Sequence, residues 1–96
     1  MTKLTLISQK ATSLKPLVEA AITNELRLLE AGINKTAKKI KDFELKNKMT
    51  TRDFLQLFEQ DKLVENLEFA EWIGEYRLLK KLKEKKATLA EVEFAD

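Results

Sequence analysis

Through the first half of this chain a seam residue recurs at alternating steps of four and three: Ile22, Leu26, Leu29, Ile33, Thr36, Ile40 and Phe43. That is the spacing of a helix burying one narrow stripe against a second helix. A later stretch carries Phe69, Trp72, Ile73, Tyr76, Leu79 and Leu82 and supplies a matching stripe. Helix breakers are scarce, with two glycines and one proline in 96 residues. Leu, Ala, Glu and Lys, all good helix formers, dominate the rest. The fold class expected is therefore all-α: a long, coiled-coil-like antiparallel helical hairpin in a single small domain.

Local signals divide the chain. Residues 1–15 form an N-terminal arm, in which Leu4–Ile7 alternates like a short strand. Pro16 suits the first position of a helix, where a missing N–H costs nothing. The long helix is placed at 16–47. Met49-Thr50-Thr51-Arg52-Asp53-Phe54 reads as the next helix start, with Thr50 as N-cap and Met49 and Phe54 as a hydrophobic staple. A short helix over 51–60 follows, then a connector, a third helix over 67–90 and a tail over 91–96. The alternation at Val92–Phe94 suggests a second strand-like end, able to pair with the first or with another protein.

Folded as a hairpin, the seams bring Phe43 to Phe69, Ile40 to Trp72 and Ile73, Thr36 to Tyr76, Ile33 to Leu79 and Leu29 to Leu82. The short helix closes one end and gathers Phe43, Phe54, Phe58, Phe69 and Trp72 into an aromatic cluster. Gly32 either admits a neighbouring helix or is a tolerated surface residue. Gly74 is expected to mark a close helix crossing. The other end is poorer. Leu17, Val18, Ile22 and Leu26 face a third helix that has become lysine-rich, and a second copy of the chain or another protein would cover them.

Several chemistries are disfavoured. Cysteine and histidine are both absent, which removes disulfides, thiolate metal sites and the commonest general base. Asp61, Glu65, Glu68, Glu71 and Glu75 recur at helical spacing, but di-iron bundles add a Glu-x-x-His motif that this chain lacks. A solvated acidic face is the expectation, with no metal, no cofactor and no catalytic residues. No apolar run approaches membrane-spanning length, and Leu4–Ile7 is too short for a secretory signal core. A cytoplasmic protein is expected.

The net charge of +2 conceals an asymmetry. Between Asp53 and Glu75 lie seven acids and one base, and between Arg77 and Lys86 six bases and one acid. Acid early and base late in a helix is what the macrodipole favours. The bases include Lys35, Lys38 and Lys39 on the long helix and Arg77, Lys80 and Lys81 on the third. Together they are candidate contacts for nucleic-acid phosphates.

A set of short motifs points to a family. Asn24-Glu25-Leu26-Arg27-Leu28-Leu29-Glu30 leads to Lys41-Asp42-Phe43-Glu44, then Met49-Thr50-Thr51-Arg52-Asp53-Phe54, Phe58-Glu59 and Leu67-Glu68-Phe69-Ala70-Glu71-Trp72. In order and spacing this resembles a family of small helical bacterial and archaeal proteins, similar to the antitoxin-type partner in toxin–antitoxin-like gene pairs. The resemblance spans roughly residues 22–86. This chain departs from it at Asn47-Lys48, where the family pattern has Tyr-Gly, and at Leu63-Val64-Glu65-Asn66, which replaces a more acidic connector. The resemblance implies a non-catalytic protein that binds a small toxin-like partner, and it carries no binding residues across. On the residues alone, Leu17, Ile22, Leu26, Val92 and Phe94 are the partner-binding candidates, with a homodimer as the expected assembly. The alternative is a small nucleic-acid-binding protein using the lysine-rich faces.

Overall fold

The computed structural model describes residues 2–5 and 11–95. Strand β1 (Thr2–Thr5) precedes three helices, α1 (Ala11–Asn47), α2 (Thr51–Glu59) and α3 (Leu67–Ala90), and strand β2 (Val92–Ala95) follows them. The body is the all-α antiparallel hairpin of α1 and α3, with α2 at its closed end. At the open end β1 and β2 pair in parallel, Thr2 with Val92 through Thr5 with Ala95. Parallel strands cannot be joined by a tight turn. Here the whole helical hairpin is the crossover.

Leu6 and Ile7 of the expected Leu4–Ile7 strand lie outside the described residues. The long helix starts at Ala11, ahead of Pro16, so proline sits inside it. So close to the N-terminus, proline forfeits a single backbone bond. The half-buried row Leu14, Val18, Ile22 and Leu26 continues the seam upstream.

The turns between helices are closed by specific caps. Lys48 takes a left-handed φ of 54°, and the Met49 N–H reaches back to the Glu44 carbonyl at 3.2 Å. This is the C-terminal cap in which glycine is the usual residue. Thr50 caps α2, its Oγ1 accepting from the Asp53 N–H at 3.1 Å. Glu44 Oε2 accepts from the Thr51 N–H at 2.7 Å, so α1 also fixes where α2 begins. Asp61, again at φ 54°, ends α2, with the Lys62 N–H on the Leu57 carbonyl. Asn66 caps α3 through its Oδ1 and the Phe69 N–H at 2.8 Å.

The core sits at the closed end. Trp72 and Phe54 are fully buried, stacked with ring centroids 3.9 Å apart and planes 2° from parallel. Phe43 lies near-parallel to the indole at 5.7 Å, and Phe69 tilts against Phe54 at 5.4 Å. The indole N–H donates to Oγ1 of buried Thr51 at 3.0 Å, which satisfies the one polar atom that the burial of tryptophan creates. Met49 packs on this cluster, as the staple requires. Phe58 does not join it. It is 46% exposed, one turn beyond Phe54 and outside the stack.

Leu29, Ile33, Thr36 and Ile40 carry the buried seam along α1. Its register on α3 differs from the one expected. Phe43 meets Trp72, Lys39 meets Glu75, and Gly32 faces Leu82. Leu82 had been expected opposite Leu29, so α3 lies further back along the hairpin. A Cβ on Gly32 would come within 3.3 Å of Leu82 Cδ1, so this glycine does admit a neighbouring helix.

Two measurements check this account of the closed end. Phe54→Ala should cost about 3–5 kcal/mol in denaturant unfolding, because it empties the centre of the stack. Lys48→Gly should raise stability by about 0.5–1 kcal/mol, because it relieves a left-handed non-glycine cap.

Candidate functional site

Helices α1 and α3 are pinned together at the closed end but differ in length. Thirty-seven residues against 24 leave about 20 Å of α1 beyond the end of α3. Glu25 lies level with Leu89, and both help line one shallow groove at this end. Residues upstream of Glu25 therefore have no turn of α3 opposite them. Leu17, Val18, Ala21, Ile22 and Leu89 form the groove's almost wholly apolar floor. Leu17 is 69% exposed.

Of the partner-binding candidates, Leu17 and Ile22 come together in this groove. Leu26 is half-buried beside it on the seam and does not line it. Val92, half-buried at the start of β2, lines an adjoining groove with Leu29, Thr88 and Leu89. Phe94 lies within β2, and its side chain is outside the described residues. Val18, Ala21 and Leu89 were not singled out from the sequence. Leu89 continues the α3 seam two turns past Leu82 and one past Lys86, a spacing that could have flagged it.

The molecule is more open than its mass requires. Its accessible surface is 7513 Å², against about 5,700 Å² for a compact folded monomer of this mass. Its radius of gyration is 19.1 Å, against about 12–13 Å for a compact domain of this length. A two-helix hairpin has no third layer to cover its flanks, and the excess area is the consequence.

The charged candidates are partly consumed within the hairpin. Lys39 pairs with Glu75 at 3.4 Å, Lys46 with Glu68 at 3.2 Å, and Lys86 with Glu30. Asn47 also donates to Glu68 at 3.4 Å. Lys80 sits 5.9 Å over the Tyr76 ring. Lys35, Lys38, Arg77 and Lys81 are exposed at about the height of the Lys39–Glu75 pair. Three of the five spaced acids line the polar groove between α1 and α3 with Lys39 and Lys46: Glu68, Glu71 and Glu75. Glu75 Oε2 is buried there without a hydrogen-bond partner. No group of three metal-ligating side chains gathers among the described residues. Trp72 belongs to the core.

Gly74 does not mark a crossing inside the chain. A Cβ there would meet nothing within 4 Å. In the middle of a helix such a glycine costs about 1 kcal/mol relative to alanine.

Comparisons with protein-family models, curated proteins and solved structures return no match. No helix among the described residues is long and apolar enough to cross a membrane.

The groove residues should be separable from the core by stability. Leu17→Ser should leave the thermal unfolding free energy within about 0.5 kcal/mol of the parent. Leu29→Ala, on the buried seam, should cost about 2–4 kcal/mol in the same experiment.

Proposed function

We propose that this protein is a non-catalytic, cytoplasmic protein-interaction module, acting as the antitoxin-type member of a two-protein pair. The observation that carries the reading is the apolar groove on the overhang of α1, floored by Leu17, Val18, Ala21, Ile22 and Leu89. A shallow apolar surface on a helix suits an amphipathic helix of a small partner protein, whose apolar face it would cover. The short strands at the same end add a second mode, because a two-stranded ladder leaves each strand one unpaired edge. The family resemblance over residues 22–86 supplies the antitoxin-like character, and the groove supplies the physical means.

A second reading rests on exposed Lys35, Lys38, Arg77 and Lys81, which have no ion-pair partner among the described residues. These are the side chains with which a nucleic-acid binder would contact phosphate. Salt separates the two readings. Phosphate contacts weaken steeply as salt rises, and an apolar protein interface does not.

The test is a nuclease-treated pull-down from native lysate at about 0.3 M salt, a level that weakens phosphate contacts. It is repeated with the Leu17→Glu, Ile22→Glu double variant. The expected result is one small protein retained in near-equal amount by the parent and lost from the variant. That protein should arrest growth when expressed alone and cease to do so when this chain is co-expressed. Equal retention by parent and variant would overturn the groove as the binding surface. Recovery of nucleic acid alone, falling with salt, would replace this reading with the second.

A further inference from the structure

A second apolar surface lies at the closed end of the hairpin, away from the overhang groove. The end of α2, the connector over 60–66 and the first turns of α3 border a recess there, lined by Phe58, Leu63, Val64, Phe69, Ala70 and Ile73. Ile73 belongs to the aromatic core, and Leu63 and Phe69 pack on it. Phe58 and Val64 stay 46% and 81% exposed. Three charged side chains share the recess: Asp61, Glu65 and Arg77. All three are exposed, and none has an ion-pair partner among the described residues. The connector itself is open. The backbone N–H and carbonyl groups of Leu63, Val64 and Glu65 have no hydrogen-bond partner among the described residues.

We propose that this recess docks an extended segment of a partner protein, with a base, a large apolar anchor and an acid at alternate positions. The apolar floor backs onto the core and takes the anchor, which also removes Phe58 and Val64 from water. The charges set the flanks. Arg77 stands in the third turn of α3, and Glu65 lies ahead of its first. A ligand of one sign would meet like charge at one of these places, whereas a segment with acid by Arg77 and base by Asp61 and Glu65 meets its opposite at both. The open connector selects an extended chain. Such a segment pairs its main chain with the free groups of Leu63, Val64 and Glu65, as in strand addition. A helix has already satisfied its own backbone and would leave those groups to water.

The dimensions agree. From Leu67 to Arg77 the helix rises about 15 Å, and an extended segment of five residues spans about 13 Å between its end Cα atoms. Alternate side chains of that segment point to one side, so base, anchor and acid all face the recess. The recess shares no lining residue with the overhang groove. Both can be occupied in one assembly, and neither reading rests on the other.

The test uses the full chain and a defined probe, an acetylated and amidated pentapeptide. Lysine, phenylalanine and glutamate occupy its first, third and fifth positions with serine between, and it is made in both orders. Trp72, the one tryptophan of the chain, lies in the cluster that backs the recess and reports binding by fluorescence. One order should give a saturable change with a Kd of about 1 mM or tighter. Alanine in place of the phenylalanine should weaken binding at least about tenfold. Ala70→Leu, which fills the floor from an exposed helical site, should do the same with helicity by circular dichroism unchanged. Arg77→Glu should weaken binding at least about fivefold, and a peptide with lysine in place of its glutamate should recover the loss. The Leu17→Glu, Ile22→Glu variant should bind the probe as the parent does, which keeps failure of the overhang reading separate. No saturable change in either order up to about 10 mM would overturn the proposal. So would equal binding of the alanine peptide, or an Arg77→Glu loss that the lysine peptide does not recover. A parent that is dimeric in sedimentation equilibrium but monomeric as Phe58→Ser would also overturn it, by making a second copy the occupant.

Discussion

The stack of Phe54 on Trp72 is the contact from which the rest of the hairpin is measured. It fixes α2 against α3 with the rings 3.9 Å apart. Phe43 joins α1 to the same indole, and Thr51 closes the remaining polar valence. With all three helices tied at one end, their unequal lengths have only one place to show. The surplus of α1 emerges at the open end, where its seam continues with no helix opposite. An apolar surface in this molecule is therefore a geometrical consequence of where the aromatic residues sit.

Much of the architecture is legible in the sequence because it is local. The seam from Ile22 to Phe43, the Thr50 cap, the Met49–Phe54 staple and the Leu67 start each depend on residues a few positions apart. The parts that are not legible depend on contacts between distant segments. The register of α3 is set by Phe43 on Trp72 and Lys39 on Glu75, and periodicity alone constrains it only to within a turn. Pro16 misplaces the start of α1, since proline is tolerated near a helix N-terminus as well as at its first residue. Phe58 fits the apolar face of α2 by spacing, yet it lies one turn beyond Phe54 and outside the stack on Trp72. The two glycines look alike in sequence. Only the neighbouring helix shows that Gly32 has one at hand and Gly74 does not.

The candidate site was half legible for the same reason. Leu17 and Ile22 stand out in the sequence as apolar residues facing a lysine-rich stretch of the third helix, whereas the weight of Leu89 shows only once the length mismatch is placed. The charges divide in a related way. Lys39, Lys46 and Lys86 spend their charge on glutamates across the hairpin, at exposed sites where such pairs contribute little to stability. These pairs align the two helices and reduce the free positive charge left for phosphate. What the molecule presents outward is chiefly apolar surface at its two ends: a helix face on the overhang, and a recess beside the connector at the closed end.

Hydrogen exchange of the isolated protein, resolved along α1, tests the central claim most directly. Opening free energies follow local burial. Amides of residues 36–47, packed on the aromatic cluster, should exchange only with global unfolding. Those of residues 14–24, on the overhang, should exchange at least about a hundredfold faster. Uniform protection from 14 to 47 would contradict the account, because it would mean that the overhang is held as firmly as the core.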